Sequence, residues 1–176
     1  MNFKKLFVTV LFISGITFFA QAQHSVTDLV TEWERAKAYT KEYLDAMPES
    51  GYALKPMPEM RSFAEQLLHL TDANYGFSSA VSGEKSPFGM GDLEKTTDKS
   101  KANVTRIVMA GYDFVISGIN KMKPVQLSEK IMLFGQFNLT KQQVLEKVFE
   151  HQTHHRGQTT VYLRMAAVKA PPEKLF

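Results

Sequence analysis

The sequence predicts an all-α protein, a four-helix bundle with a long connection between its second and third helices. Three observations predict it. Apolar residues recur at helical spacing, and no run shows sustained period-two alternation. Prolines and glycines gather into a few breaks that separate long periodic segments. Two segment starts carry capping boxes, Ser25 with Asp28 and Thr140 with Gln143, where a hydroxyl and a side chain three residues on satisfy each other's free backbone N–H groups.

The chain opens with Lys4 and Lys5, an apolar run from Leu6 to Ala20, and the small-x-small sequence Ala20-Gln21-Ala22. This is the build of a secretory signal peptide, residues 1–22, cleaved after Ala22. The alternative is an uncut membrane anchor. Against it, the run falls short of the ~20 apolar residues a span needs, and Thr9, Ser14 and Thr17 interrupt it. Residues 23–176 then form a single domain, exported to the periplasm or the extracellular space, with no stable membrane insertion after cleavage. The formal net charge of +3 shrinks further once Lys4 and Lys5 are removed. No basic stripe remains to bind nucleic acid. With no cysteine in the chain, disulfides, thiolate ligands and a cysteine nucleophile are excluded, and a metal can be held only by His, Asp or Glu.

The first helix is expected from Ser25 to Met47, with Val26, Leu29, Val30, Trp33, Ala36 and Leu44 on its apolar face. "MPESGYALKPMPEM" ends it. The second helix is expected from about Glu59 to Ser82. Phe63, Leu67, Leu70, Asn74, Phe77 and Val81 form its core stripe, and Gln66, His69, Ala73, Gly76 and Ala80 form a neighbouring row of mostly small residues around one histidine. The loop from Gly83 to Thr97 follows. A third helix is expected from about Asp98 to Met122, with Val104, Ile107, Val108, Phe114, Val115 and Ile119 inward. The stretch from Lys123 to Leu139 reads as irregular chain packed on the bundle through "IMLF". The fourth helix is expected from Thr140 to about Val168, closed by Pro171 and Pro172.

Three of the five histidines fall within "HQTHH", residues 151–155. At about 100 degrees per residue, Val144, Val148, His151, His155, Thr159, Tyr162 and Ala166 share one stripe. His151 and His155 are thus neighbours in the seam, and His154 points off it. Two imidazoles on a buried stripe each need a partner in the interior, and binding one cation satisfies both. His69 on the second helix offers a third ligand. A structural histidine cluster at one end of the bundle is the alternative. A zinc protease of the H-E-x-x-H kind would lack its base, because Gln152 stands where that motif has its glutamate.

"HQTHHRGQ" late in the chain, "RSFAEQLLHL" earlier and "PPEKLF" at the end, in that order, resemble the DinB-like family of metal-binding four-helix bundles over nearly the whole of residues 23–176. The resemblance implies a divalent metal held by His69, His151 and His155, with His154 not a ligand. It gives Arg156, Gly157 and Gln158 as a continuation of the family pattern; their plain reading is helix packing and surface charge. Some similar proteins are transferases or an isomerase that use low-molecular-weight thiols, the metal there making the thiolate. Those thiols are chiefly cytosolic, and the leader sets this chain apart from them.

Three neutral imidazoles leave a coordination position open, as catalytic zinc sites do. Zinc and nickel are the expected metals. Glu65 and Asp72 are the nearby carboxylates that could act as base or support a ligand; their plain reading is ordinary surface or supporting residues, and Glu150 is expected to face solvent. Two functions follow: a metal-dependent hydrolase or transferase that takes a small-molecule ligand at the open position, or a non-catalytic metal-binding bundle closed by the loop after the second helix. A homodimer is compatible with either.

Overall fold

The computed structural model describes residues 25–176. The expected leader, 1–22, lies outside the described residues. Four helices account for most of them: α1, Val26–Ala46; α2, Phe63–Ser82; α3, Lys101–Asn120; and α4, Lys141–Met165. Each starts behind a hydroxyl. Ser25, Ser62, Ser100 and Thr140 accept the backbone N–H three residues on, satisfying a donor that the first helical turn leaves free. The boxes expected at Ser25 and Thr140 are present, and a third, Ser62 with Glu65, starts α2. That cap corrects the expected start at Glu59: residues 59–61 belong to the preceding turns. α3 is likewise shorter at both ends than expected. α4 stops at Met165, three residues before Val168. There Ala167 turns left-handed (φ 56°), and the Ala167 and Val168 N–H groups bond back to the carbonyls of Arg164 and Leu163. This Schellman closure ends the helix before the prolines are reached.

The stretch read as irregular chain corrects the sequence analysis. A short 3₁₀ turn, Pro124–Ser128, leads into an antiparallel hairpin, β1 (Lys130–Leu133) and β2 (Phe137–Thr140), with Leu133 opposite Phe137. Strands of four residues are too short for alternation to stand out. The turn is built on Phe134 and Gly135, both at positive φ, and lacks the Asn-Gly or Asp-Gly signal of a tight hairpin.

Cross-contacts fix the topology. α1 and α2 are antiparallel. α3 then runs parallel to α2, Gly111 lying on Thr71 and Gly118 on Ser78. α4 runs parallel to α1, with Trp33 against Phe149 and Tyr43 bonded to Thr160 (2.9 Å). The order is therefore up, down, down, up. The long connection between α2 and α3 returns the chain along the bundle, as such a crossover must. The core holds Trp33, Leu44, Leu67, Leu70, Val108, Val115, Val144, Val148 and Leu163, all essentially inaccessible. Phe77 and Phe114, expected inward, are only half-buried, and Ala80 is exposed. No helix among the described residues is long and apolar enough to cross a membrane.

The approach of α2 to α3 depends on Gly111. A Cβ there would collide with the Thr71 methyl group, which is itself fully buried. Gly111→Ala is expected to destabilise the bundle by about 1–3 kcal/mol through this overpacking. An unchanged urea midpoint would show that the helices can part at no cost.

Candidate metal centre

His69, His151 and His155 converge between α2 and α4. Capping fixes the phase of each helix, and the apolar stripe of α4 turns His151 and His155 towards α2. Ring centroids lie 4.6 Å apart for His69 and His155, 5.2 Å for His69 and His151, and 4.4 Å for His151 and His155. Each histidine offers one nitrogen such that all three lie within 4.8 Å of one another. His154 is exposed and paired with Gln158 at 2.7 Å, off the seam as expected. Glu150 faces solvent and pairs with Lys147.

The surrounding bonds orient two of the rings. His155 Nδ1 lies 2.9 Å from Gln66 Oε1. Gln66 Nε2 donates to the Tyr162 hydroxyl (3.2 Å), which donates to the Arg61 carbonyl (2.7 Å). That chain turns the Gln66 oxygen towards His155, so Nδ1 carries the proton and Nε2 keeps its lone pair. His69 Nδ1 lies 2.5 Å from Glu94 Oε1, and Arg61 Nε donates to the other Glu94 oxygen at 2.6 Å. His69 is thereby held as metal-bound histidines usually are, with a carboxylate on the nitrogen that does not ligate. His151 Nδ1 is buried with no hydrogen-bond partner. A polar atom so placed is costly unless something satisfies it. Donor spacing, the orienting bonds and this orphaned nitrogen together fit a single cation.

The electrostatics agree. Burial, reinforced by the neighbouring imidazoles, pushes His151 down to about 4 and His155 down to about 3. Both are therefore neutral at ordinary pH, the form that binds metal. The Glu94 carboxyl is pushed up by burial, but the bonds from Arg61 and His69 outweigh this and hold it below its usual value. Glu94 is thus an anion facing His69.

Of the two carboxylates expected near the site, only Asp72 supports it, and indirectly. It accepts the backbone N–H groups of Leu93 and Glu94, each at 3.3 Å, and so holds the segment that presents Glu94. Its own carboxyl is raised by burial. Glu65 is turned away. It completes the α2 cap and binds Lys99 at 2.7 Å. Burial pushes its carboxyl up, but the bonds from Lys99 and the Ser62 N–H prevail and bring it to about 2. Sequence reasoning missed Glu94, which lies in the loop where no periodicity assigns a direction. Gln66 had been placed on the histidine row without a role. Arg156 follows the packing half of its plain reading and not the surface-charge half: it is 5% exposed, stacked on Tyr39 and bonded to Gln152.

Glu94→Gln keeps the shape but removes the charge opposite His69. Metal affinity is expected to fall about 10- to 100-fold, read by competition with a chromophoric chelator. Affinity equal to that of the unaltered protein would mean that Glu94 does not support the ligand.

Fold and site define a four-helix bundle with paired parallel helices, carrying three histidines close enough to share one ion. The chain belongs to the DinB family, whose sequence model matches residues 22–174. The YjoA protein of Bacillus subtilis (strain 168), described as uncharacterized, is 21% identical over 139 residues, covering 77% of this chain and 87% of YjoA. A DinB-like protein from Bacillus cereus ATCC 10987 superposes with a TM-score of 0.75 at 16% identity, covering 86% of this chain and 99% of that one. YfiT from Bacillus subtilis, described as a probable metal-dependent hydrolase with an unusual four-helix bundle topology, superposes with a TM-score of 0.63 at 13% identity, covering 82% and 89%.

Proposed function

We propose that this chain is an exported, divalent-metal-dependent enzyme of the hydrolase or transferase type, with His69, His151 and His155 as ligands and zinc or nickel as the ion. The observation that carries the reading is the trio itself, three nitrogens within 4.8 Å with a carboxylate on His69. The His69 side chain remains 27% exposed, so the loop that delivers Glu94 does not bury the site. A divalent ion held there would supply a Lewis acid with an open position, able to acidify a bound water or thiol.

The protein's own contribution is orientation. Gln66 holds the His155 proton on Nδ1. Glu94 accepts from His69 and fixes the orientation of its ring, and Arg61 keeps Glu94 in place. With both oxygens engaged and its pKa lowered, Glu94 is suited to positioning His69 and poorly suited to taking a proton from substrate. YfiT's description as a probable metal-dependent hydrolase favours the hydrolase over the transferase.

The test is elemental analysis of the purified protein, followed by cobalt substitution and titration with azide or a small thiol. Visible spectra that shift on addition, together with metal-dependent turnover of an ester or amide panel, are expected. Cobalt spectra indifferent to every added ligand would point to a structural ion in a non-catalytic bundle.

A further inference from the structure

Arg156 is buried on the far flank of α4 from the histidines. It follows His155 by one residue and so points about 100 degrees round the helix, towards α1. Its guanidinium lies 4.5 Å from the centre of the Tyr39 ring, and Nη1 donates to Gln152 Oε1 at 3.1 Å. A guanidinium has five N–H donors, and Gln152 and the neighbouring Tyr112 hydroxyl engage fewer than all of them. It has no carboxylate partner among the described residues. A buried charge left in this state is expensive, and burial lowers its pKa accordingly.

The same side chain lines a cavity of about 600 Å³ between α1, α4 and the C-terminal tail. Arg164 and Lys169 stand at its exposed rim, and Glu173 is the one acidic side chain in its lining. Tyr39, Tyr43, Pro171 and Leu175 give the walls an apolar character. The tail is fixed as the outer wall, because Arg35 donates to the Lys174 carbonyl at 2.6 Å and Lys174 pairs with Glu42. None of the three histidines lines the cavity.

We propose that this cavity is a second binding site, one that takes a small organic carboxylate with an aromatic or apolar body, its carboxylate on Arg156. The planar guanidinium fork matches a carboxylate through two parallel bonds. The rim cations attract an anion, and the tyrosines and prolines cover its apolar part. The volume is in the range of small-molecule sites.

Phenylacetate is the probe, with 2-phenylethanol as its uncharged counterpart, titrated calorimetrically into the metal-loaded protein. Saturable binding of phenylacetate is expected, with the alcohol weaker by about tenfold or more. Reversing the rim with Arg164→Glu and Lys169→Glu, both exposed and so compatible with folding, is expected to weaken phenylacetate by about tenfold or more. Arg156→Lys, which keeps the charge but not the fork, is expected to weaken it as well. Chelating the metal should leave the affinity unchanged. The proposal is overturned if phenylacetate does not bind saturably. It is equally overturned if binding survives rim reversal but disappears on chelation, since the anion would then sit on the metal.

Discussion

Alanine at His69, His151 or His155 is expected to empty the site, each substitution removing most of the metal that the unaltered protein retains through dialysis. Loss of one ligand leaves two imidazoles and a cavity, and catalytic zinc sites keep three protein ligands for good reason. His154→Ala is the control, because that side chain is exposed and points off the seam. Metal content measured by mass spectrometry of the four variants decides the matter. Retention in His155→Ala with loss in His154→Ala would mean that the rotational phase of α4 is wrong. The effect on fold should be smaller than the effect on metal. The apolar core does not include the trio, and an ion that binds only the folded state adds about 2.7 kcal/mol at a hundredfold excess over its dissociation constant. Chelation should therefore lower the melting temperature without unfolding the bundle at room temperature, unlike a zinc finger.

The second large effect is acid sensitivity of the metal-free protein. Folded His151 and His155 titrate at about 4 and about 3, whereas an imidazole in the unfolded chain titrates near 6.5. Between those values the unfolded chain holds more protons than the folded one. Stability is thus at its full value above about 6.5, falls as the pH drops through the window, and levels off for these two groups below about 3. Glu65 acts in the same direction lower down. Its folded value of about 2 gives stability that is present above the ordinary carboxylate range and lost as the pH approaches 2. Thermal melts of chelated protein at about pH 7, 5.5 and 4 should show a steady decline. His151→Ala should flatten part of it, since the alanine has no proton to gain. A melting temperature independent of pH across that interval would show that the two imidazoles are not buried as neutral bases. With metal bound, the decline should start at lower pH, because the ion competes with protons for the same nitrogens.

The bundle and the trio were legible in the sequence because both depend on helical periodicity. One turn relates His151 to His155, and the stripe from Val144 to Tyr162 tells which way they face. His69 was legible for the same reason, on its own helix. What escaped depends on contacts between segments with no common period. Glu94 reaches His69 only because Asp72 grips the backbone of its segment, and the spacing of those residues says nothing of it. Arg156 carries a charge that composition assigns to the surface, yet the ring of Tyr39 and the amide of Gln152 take it inside. The hairpin was missed because its strands are four residues long. Glu65, one turn before His69, could serve the site or the helix start. The helix start claims it, because Ser62, inside the helix expected from Glu59, is the residue it caps.

The parallel pairing of α1 with α4, and of α2 with α3, has a consequence for how the protein comes into being. Of the closely packed helix pairs only α2 and α3 follow one another in the chain; the trio joins α2 to α4, and its first histidine precedes the second by about eighty residues. A ribosome adding roughly 5–20 residues each second takes several seconds to cover that distance. Through that interval the growing chain owns one imidazole of the trio, with a carboxylate at its back, too few donors to retain an ion against the competing ligands of a cell. Only when the last helix has been made and has docked do the other two nitrogens arrive together. An ion that needs all three nitrogens could not template this fold; it would bind only chains whose second and fourth helices have already docked.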